Sequence, residues 1–516
     1  MRRNSQIVLA ASLWFVLSGA PLAAQTATMG TGAAGSNRAT PLPASGRGNQ
    51  AGSVEAQQSA AAGGVATVSS SVQVSGNFAG SVPSVAGTGP VHLTLAEALK
   101  LGLAANLGAV SANNSVRASR AERIQALSAL LPTISANATE TVTQVNLAAY
   151  GFQFKLPPGT NFSIPSVVGP FSYSQLQGAL SQSIYDPVGR RNWKASKEGE
   201  RASVLSARDT RELVVLAVGG TYLQTIAAAA RVDSQRAQVN NAKAVYDQAV
   251  TRKSAGTNSK IDVMRSLVEL QTQQQRLSSL EADARKQIIT LARVIGLAQD
   301  RELVLSEPLS FRDTSVPEAA AAIAQAKRRR ADLQSAEAQV RAAEQALSAA
   351  HAERLPSVTL NGDYGVLGPN PTSTHGVFAI TGAVNVPIWQ GGRTRGDIQQ
   401  AEATLDQRRA ELADQRARVE QEVRNAVIEL QTAIGQVRLA ESNRGYAQET
   451  LAESRDRFAA GVATTVEVVQ AQEQVASAES DYISSLFSFD LATLSLARAT
   501  GEAETELPNL LKGSCP

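Results

Sequence analysis

Two stretches of the chain have the same layout, and this duplication limits what the chain can fold into. Ala255-Gly256 and Ala460-Gly461 each separate two long heptad-patterned segments, and an acid follows each glycine at the same spacing, Asp262 in the first copy and Glu467 in the second. The offset between the copies along the chain far exceeds the roughly 20–50 residues of a solenoid unit. The sequence therefore predicts a doubled domain with two helical hairpins that turn at equivalent points.

Each copy also carries two stretches in which apolar and polar residues alternate with a period of two. In the first copy they lie between Leu131-Pro132 and Tyr185, and in the second between Leu355-Pro356 and Trp389. Strands of about ten residues with one apolar face are typical of a membrane β-barrel wall, although a half-buried soluble hairpin alternates in the same way. The terminal aromatics Tyr185 and Trp389 favour a membrane girdle. A strand-to-helix turn is predicted at Pro387, Trp389, Gly391 and Gly392.

Helix-forming segments without breakers follow each pair of strands. They run between glycines, Gly189 to Gly256 and Gly392 to Gly461, and at 1.5 Å per residue each spans roughly 100 Å. The return segments are too short to match them. We therefore expect the helices that precede each pair of strands, the first opened by a capping box of Thr94 and Glu97 and running to about residue 131, to stack end to end with the return helices.

The N-terminal part of the chain, 1–92, differs from the rest. A basic pair, an apolar run and a small-residue stretch predict a cleaved secretory signal over 1–24, and Gln25 stands where a lipoprotein would carry its acylated Cys, so no lipid anchor is expected. Residues 25–92, rich in Gly, Ala and Ser, are expected to be a disordered tether, with one weak strand near 65–74. The remaining predicted units are a first repeat (93–301), a connector that adds a small strand (302–316), a second repeat (317–501) and a C-terminal tail (502–516).

Composition excludes several classes of function. One Cys leaves no disulfide framework or thiolate metal cluster, and three His, none at ligand spacing to another, predict no metal centre. No cofactor is expected. A net charge of +3 is too small to indicate a surface that binds nucleic acid. The basic run 327–330 is interpreted as a solvated helix face. Because no nucleophile, base or metal grouping recurs at workable spacing, we do not expect an enzyme.

Five motifs occur in order along the chain: LTLAEAL with Asn106, ERLPSVTLNGDYG, VPIWQGGR, RRRADLQSAEAQVRAAEQAL and RFAAGVATTVEVVQAQ. Together they resemble the TolC-like outer-membrane efflux proteins over about residues 93–501. The resemblance implies an α+β membrane protein: a homotrimer in which each chain gives four strands to one 12-stranded outer-membrane β-barrel, continued by a long periplasmic α-helical barrel. The residues independently require copies, because four amphipathic strands cannot close alone and an open edge in lipid leaves amides unpaired.

The resemblance also implies a function: passive conduction from an inner-membrane transporter, through a periplasmic adaptor protein, to the exterior, in efflux or type I secretion. It places a tunnel constriction at Glu467, with Gln470 where the family has a second acid and Asp262 as the first-copy acid. A solvated hairpin charge is the alternative explanation of Glu467. Adaptor docking is implied at the hairpin tips, although a tight turn alone would explain their glycines: Ala255, Gly256, Thr257, Ala460, Gly461 and Val462.

Two family residues that hold the closed state are absent here. Phe458 lacks the hydroxyl and Ala463 lacks the guanidinium of the family's polar latch, so we expect closure by packing and a leakier resting state.

The alternative to a channel is a secreted periplasmic or surface coiled-coil stalk without transport activity. A stalk explains the heptads but not the two alternating hairpins or the turn that leads back into helix.

Overall fold

The structure is a computed structural model that describes residues 40, 42, 53–60, 68–83, 89–151, 165–256, 259–312 and 314–504. The predicted signal, Thr257 and most of the predicted tail lie outside the described residues. The strands are β1 (Val54–Ala60), β2 (Val68–Val74), β3 (Val91–Leu93), β4 (Thr133–Asn146), β5 (Val167–Tyr185), β6 (Leu303–Leu305), β7 (Ser357–Gly368) and β8 (His375–Asn385). The helices are α1 (Leu95–Ala105), α2 (Leu107–Ser128), α3 (Pro187–Ser254), α4 (Lys260–Ile295), α5 (Ala319–Arg329), α6 (Ala331–Ala352), α7 (Arg393–Ala459) and α8 (Thr465–Thr500).

The four alternating stretches form one antiparallel sheet in the order β4-β5-β7-β8. Thr133 pairs with Ser181 in the first copy, and Ser357 pairs with Asn385 in the second. Thr133 and Ser357 each follow the proline of their copy directly, and Ser181 and Asn385 each precede the aromatic of their copy by the same spacing. The two hairpins therefore have the same register. The structure thereby confirms that both copies contain two strands at equivalent places, although β4 and β5, with 14 and 19 residues, are longer than the predicted ten or so.

One face of this sheet is apolar and open to the surroundings. Its side chains include Ile134, Tyr364, Phe378 and Ile380, which are 71–79% exposed. The opposite face is largely polar, with Thr133, Ser181, Asn361 and Thr381 aligned across the four strands. A continuous exposed apolar face on a sheet is the pattern of a surface that contacts lipid rather than water.

The helices stack as the sequence predicted. Helix α3 packs along both α2 and α4, and α7 packs along both α6 and α8. The N-terminus of α2 meets the C-terminus of α4, because Asn106 Nδ2 donates to the Val294 carbonyl at 3.3 Å. At the other junction, a Cβ placed on Gly501 would lie 3.1 Å from the Arg330 nitrogen. Helices α2 and α4 together therefore match the length of α3, and helices α6 and α8 together match the length of α7.

The predicted single helix from 94 to 131 is wrong in one respect. The capping box of Thr94 and Glu97 is present, but the helix breaks at Asn106, whose backbone is extended (φ −62°, ψ 132°). The Asn106 side chain accepts from Gly108 N–H and caps the next helix. The break lets α2 turn onto the end of α4.

The predicted disordered tether over 25–92 is also wrong for part of its length. Strands β1 and β2 form an antiparallel hairpin, and the expected weak strand near 65–74 is β2. Val54, Val72 and Val74 of this hairpin pack against the main core. Burial of these side chains offsets the entropy that is lost when the hairpin becomes ordered. A Cβ on Gly220 of α3 would clash with Val72 at 2.7 Å, so Gly220 provides the space for the hairpin.

The connector adds a strand, as expected, because β6 pairs in parallel with β3. Helix α3 has an apolar stretch long enough to cross a membrane, but 78% of that window is buried inside the protein. Its residues Val214 to Ala227 lie in the largest core cluster, together with α1, α4 and α8. We therefore interpret this stretch as a core helix.

Candidate functional site

The two hairpin tips are built alike. Gly256 and Gly461 have φ of +75° and +78°, a left-handed conformation that side chains with a Cβ rarely adopt. Ser259 and Thr464, which are equivalent in the two copies, then cap the return helices by accepting from the backbone N–H groups of Asp262 and Glu467. Both predicted acids therefore lie in the first turn of a helix, where the helix dipole favours a negative charge.

Each of these carboxylates also faces an arginine of its own hairpin. Glu467 Oε2 lies 3.9 Å from an Arg457 guanidinium nitrogen, and Asp262 Oδ1 lies 3.9 Å from Arg265. Asp262 Oδ2 also accepts from Ser259 Oγ at 2.7 Å. The acids are thus held in place at the tips, with their charges partly compensated.

A groove of about 640 Å³ lies between the first turns of α4 and α8. Its floor is apolar, with Ile261, Met264 and Val466 among its lining residues, and Gln470 borders it. Asp262 and Glu467 are not among its lining residues. The structure therefore brings Gln470, but neither acid, into this groove.

The remaining tip residues predicted for docking are at the surface. Ala255 and Ala460 are the C-terminal caps of α3 and α7, and Val462 is 67% exposed in the turn. A Cβ added to Gly461 would meet nothing within 4 Å. The tips therefore have open space around them for a partner.

An arginine that the sequence analysis missed joins the two tips. The guanidinium of Arg252, at the end of α3, lies 4.3 Å from the centroid of the buried Phe458 ring on α7. It also donates to the Ala459 carbonyl at 3.1 Å. Phe458 therefore serves in a contact between hairpins although it lacks a hydroxyl. Arg252 precedes Gly256 by the same spacing as Arg457 precedes Gly461, which is the signal that could have identified the pair.

At the other end of the long helices, the predicted strand-to-helix turn is present. Gly391 and Gly392 have φ of +60° and +86°, and α7 begins directly after them. Trp389 follows β8 and Tyr185 ends β5, and both are exposed. Pro387 lies in the irregular segment between β8 and α7. The membrane girdle stays a prediction.

A buried ionic network lies where α5 and α6 meet α7 and α8, and it corrects one prediction. Arg330 is 2% exposed and not part of a solvated face; its guanidinium binds Asp332 and Glu422. Arg498 lies 2.5 Å from Asp209 and 3.5 Å from Glu212 of α3. The other members of the basic run, Lys327, Arg328 and Arg329, are exposed as expected.

Burial and nearby arginines shift the pKa values of acids in the helices in opposite directions. Although burial opposes the shift, hydrogen bonds from Arg330 lower the pKa of Asp332. Burial raises the pKa of Glu212 to about 7, although Arg498 opposes this shift. Burial also raises the pKa of Asp490, on α8, to about 7. Across the described residues, no group of His, Cys, Asp and Glu side chains has the arrangement of a metal site.

Comparison with known proteins gives several outer-membrane efflux and export proteins among the relatives. The family described as Outer membrane efflux protein matches residues 322–502. The chain is 26% identical over 317 residues to the pyoverdine export outer membrane protein OpmQ of Pseudomonas aeruginosa, covering 60% of this chain and 65% of that relative. It is 25% identical over 355 residues to the toluene efflux pump outer membrane protein TtgF of Pseudomonas putida, covering 61% and 68%. The match to OpmQ of Pseudomonas putida spans only 47% of that protein.

Solved structures share the fold. The Campylobacter jejuni outer membrane channel CmeC superposes with a TM-score of 0.68 at 16% identity, over 79% of this chain and 86% of that one. The outer membrane protein VceC of Vibrio cholerae superposes with a TM-score of 0.66 at 20% identity, over 79% and 96%. At these identities the likeness establishes the arrangement of strands and helices.

Proposed function

We propose that the chain is a member of the TolC-like outer-membrane efflux proteins and that it forms an outer-membrane channel that passively conducts substrates to the exterior. The channel receives them from an inner-membrane transporter through a periplasmic adaptor protein. The observation that carries this proposal is the four-stranded sheet with an exposed apolar face, whose strands continue into helical hairpins roughly 100 Å long.

Among the residues that the structure describes, the sheet has two free edges, β4 and β8. Unpaired backbone groups at such an edge cost several kcal/mol each in lipid, so the sheet must be closed. We propose closure by three copies, which gives a 12-stranded barrel in the outer membrane with the helices in the periplasm. The polar face of the sheet would then line the water-filled lumen and the apolar face would meet lipid.

At the periplasmic end we propose that Glu467 lines the narrowest part of the tunnel. Three copies of a carboxylate on a common axis raise the local concentration of cations. Gln470, where the family has an acid, leaves one carboxylate ring fewer. Asp262 is proposed to lie at the same level on the first hairpin, where it accepts a hydrogen bond from Ser259 and lies 3.9 Å from Arg265.

The names of the relatives bear on the substrate. OpmQ is named for pyoverdine export and TtgF for toluene efflux, and we propose that this chain serves efflux of small compounds rather than protein secretion. Deleting the gene should raise the cellular accumulation of a fluorescent efflux dye several-fold, and the wild-type gene should restore it. Unchanged accumulation of every dye tried would favour the stalk.

We further propose that the tips dock the adaptor. Replacing Gly461 by Trp adds bulk at an exposed turn and strains a left-handed residue. Gly461→Asn is the matched control, because Asn tolerates this conformation. Gly461→Trp should abolish export while oligomers still form, whereas Gly461→Asn should retain export. Export by the Trp variant at the wild-type rate would exclude the docking role.

A further inference from the structure

The groove between α4 and α8 is built from equivalent positions of the two copies. At the offset that relates Gly256 to Gly461, all but one of its lining residues fall into pairs. The pairs are Lys260 with Thr465, Ile261 with Val466, Met264 with Val469, Arg265 with Gln470 and Val268 with Glu473. The same faces of the two return helices therefore border one space.

The large exposed apolar side chains of these two helices are concentrated in the groove. On α4, Ile261, Met264 and Val268 are each more than half exposed, and Ile289 is the one other large apolar side chain exposed on this helix. On α8, a helix that the structure describes in full, Val466 is the one such side chain. A stripe that packed on another long helix would continue along α4 and α8. This short patch therefore indicates a short occupant.

The size of the groove fits a small compound. Its lining residues extend over 260–269 of α4 and 465–473 of α8, which is roughly 14 Å at 1.5 Å per residue. Its volume of about 640 Å³ lies within the range of about 300–1,000 Å³ that is typical of mostly apolar ligand pockets. Met264 suits ligands of different shape, because its unbranched thioether chain adapts to irregular surfaces.

The charges that line the groove are divided between its two ends. At the tip, Lys260 begins α4, and the Arg265 guanidinium lies 3.9 Å from Asp262, which partly compensates it. Glu269 and Glu473 line the end that lies further from the tip. Neither of these two carboxylates forms a salt bridge with any residue that the structure describes. The groove therefore combines an apolar floor with uncompensated negative charge at its inner end.

We propose that this groove binds a small amphipathic organic cation. The apolar body of the compound lies on Met264 and Val469, because burial of apolar surface is favourable. Its cationic group lies beside Glu473, whose charge complements it. An anion gains less at the tip, where Asp262 and Glu467 offset the basic side chains. The inference rests on the proposed efflux function and adds a substrate class to the entrance of the proposed tunnel.

Replacing an apolar side chain of the floor tests the groove. Ethidium, a fluorescent organic cation, is titrated with the purified full-length oligomer, and its fluorescence anisotropy measures binding. Met264→Asn should weaken the affinity several-fold, because it replaces the apolar floor with an amide. Ile289→Asn is the matched control, because Ile289 is exposed on the same helix outside the groove, and it should bind as the wild type does. Equal affinities of Met264→Asn and the wild type would overturn the proposal.

A second substitution tests the charge. Glu473→Gln should weaken the binding of ethidium several-fold and leave the binding of the neutral dye N-phenylnaphthylamine unchanged, whereas Met264→Asn should weaken both. Glu449→Gln is the control, because Glu449 is exposed on α7 and does not line the groove. If Glu473→Gln retained wild-type affinity for ethidium, or lost affinity for both dyes equally, its role as the partner of the cation would be overturned.

Other occupants of the groove give different results. If Met264→Asn lost the adaptor protein in a pull-down and kept its affinity for ethidium, the groove would be a protein surface. If Met264→Asn dissociated the oligomer, the groove would be a contact between copies. Either result would overturn the proposal. Conductance of the same wild-type preparation in planar bilayers separates the two levels: an oligomer that conducts and does not bind ethidium overturns the groove alone, and one that does not conduct overturns the channel.

Discussion

A helix is interrupted at the equivalent residue in each of the two copies, but different interactions stabilise the two breaks. Asn106 and Arg330 occupy equivalent positions, and their backbones agree closely, with φ and ψ of −62° and 132° against −61° and 122°. In the first copy a neutral amide satisfies three backbone groups. In the second copy a buried guanidinium binds two carboxylates. The fold requires the break and leaves open how the break is stabilised.

Because of this difference, we expect the stabilities of the two junctions to respond differently to pH and salt. Neutral hydrogen bonds to backbone change little with pH or salt, whereas a buried ionic network depends on the protonation of its acids. The second junction also reaches into the first copy, because Arg498 binds Asp209 and Glu212 of α3. The ionic junction therefore joins the copies, whereas the neutral junction contacts only the first copy and the segment that precedes it.

The largest effect is expected at the ionic junction. Arg330→Ala leaves Asp332 and Glu422 without their cation, and removing one partner of a buried pair costs about 3–5 kcal/mol. Urea unfolding followed by circular dichroism measures the loss. Arg328→Ala, at an exposed neighbour, should stay within about 0.5 kcal/mol of the wild type. Equal effects of the two variants would contradict the buried role of Arg330.

A smaller loss is expected at the neutral junction. Asn106→Asp keeps the acceptor for Gly108 N–H but cannot donate to the carbonyls of Phe78 and Val294, which the amide reaches at 2.8 and 3.3 Å. We expect a loss of about 2 kcal/mol, at least as large as that of Asn106→Ala. If Asn106→Asp retained wild-type stability in the same urea titration, capping alone would explain the residue.

The ionic network should also respond to pH through Glu212, which faces Asp209, Arg208, Arg498 and Asp332. Its pKa is raised from 4.5 to about 7, chiefly by burial. Between these values the folded protein keeps a proton that the unfolded chain has released, so stability falls as pH rises through this range.

Glu212→Gln remains neutral and should lose this dependence. Its stability relative to the wild type should rise by about 1–3 kcal/mol between pH 5 and pH 8. Glu420→Gln is the control: hydrogen bonds from Arg424 and Lys327 lower the pKa of Glu420, so this carboxyl is ionised in both the folded and the unfolded chain above pH 5 and its replacement should add no slope over this range. Parallel stability profiles for Glu212→Gln and the wild type would contradict the assignment.

The smallest effect is expected at the tips, where the copies differ again. Arg252 crosses to Phe458 of the other hairpin, whereas its equivalent Arg457 faces Glu467 of its own hairpin. A cation–π contact near the surface contributes about 0.5–1 kcal/mol. Arg252→Ala should therefore raise the resting conductance of single channels a few-fold, and Arg457→Ala should raise it less. Equal conductances would show that the tips are held by other contacts.

Much of this architecture could be predicted because it follows from the spacing of residues along the chain. The duplication, the strand faces and the turns at Gly256 and Gly461 follow from periods and from residues that need special backbone angles. The tip acids could be located for the same reason. Their place outside the groove could not, since it depends on how α4 and α8 pack.

Two predictions from the sequence, for Arg330 and for the β1–β2 hairpin, were wrong for the same reason. Arg330 looked solvated because it lies in a basic run, and its partner Glu422 lies far along the chain, on α7. The hairpin of β1 and β2 looked disordered because its stabilising surface, including Gly220, belongs to a helix that is even more distant in sequence. Local composition does not report such distant partners.

We propose that copies of this chain close their four-stranded sheets into one water-filled barrel in lipid. Conductance recordings of the purified, heat-modifiable oligomer in planar bilayers measure this directly. We expect discrete conductance steps of uniform size from the oligomer and none from heat-dissociated monomer. An oligomer that inserts into the bilayer and never conducts would contradict it.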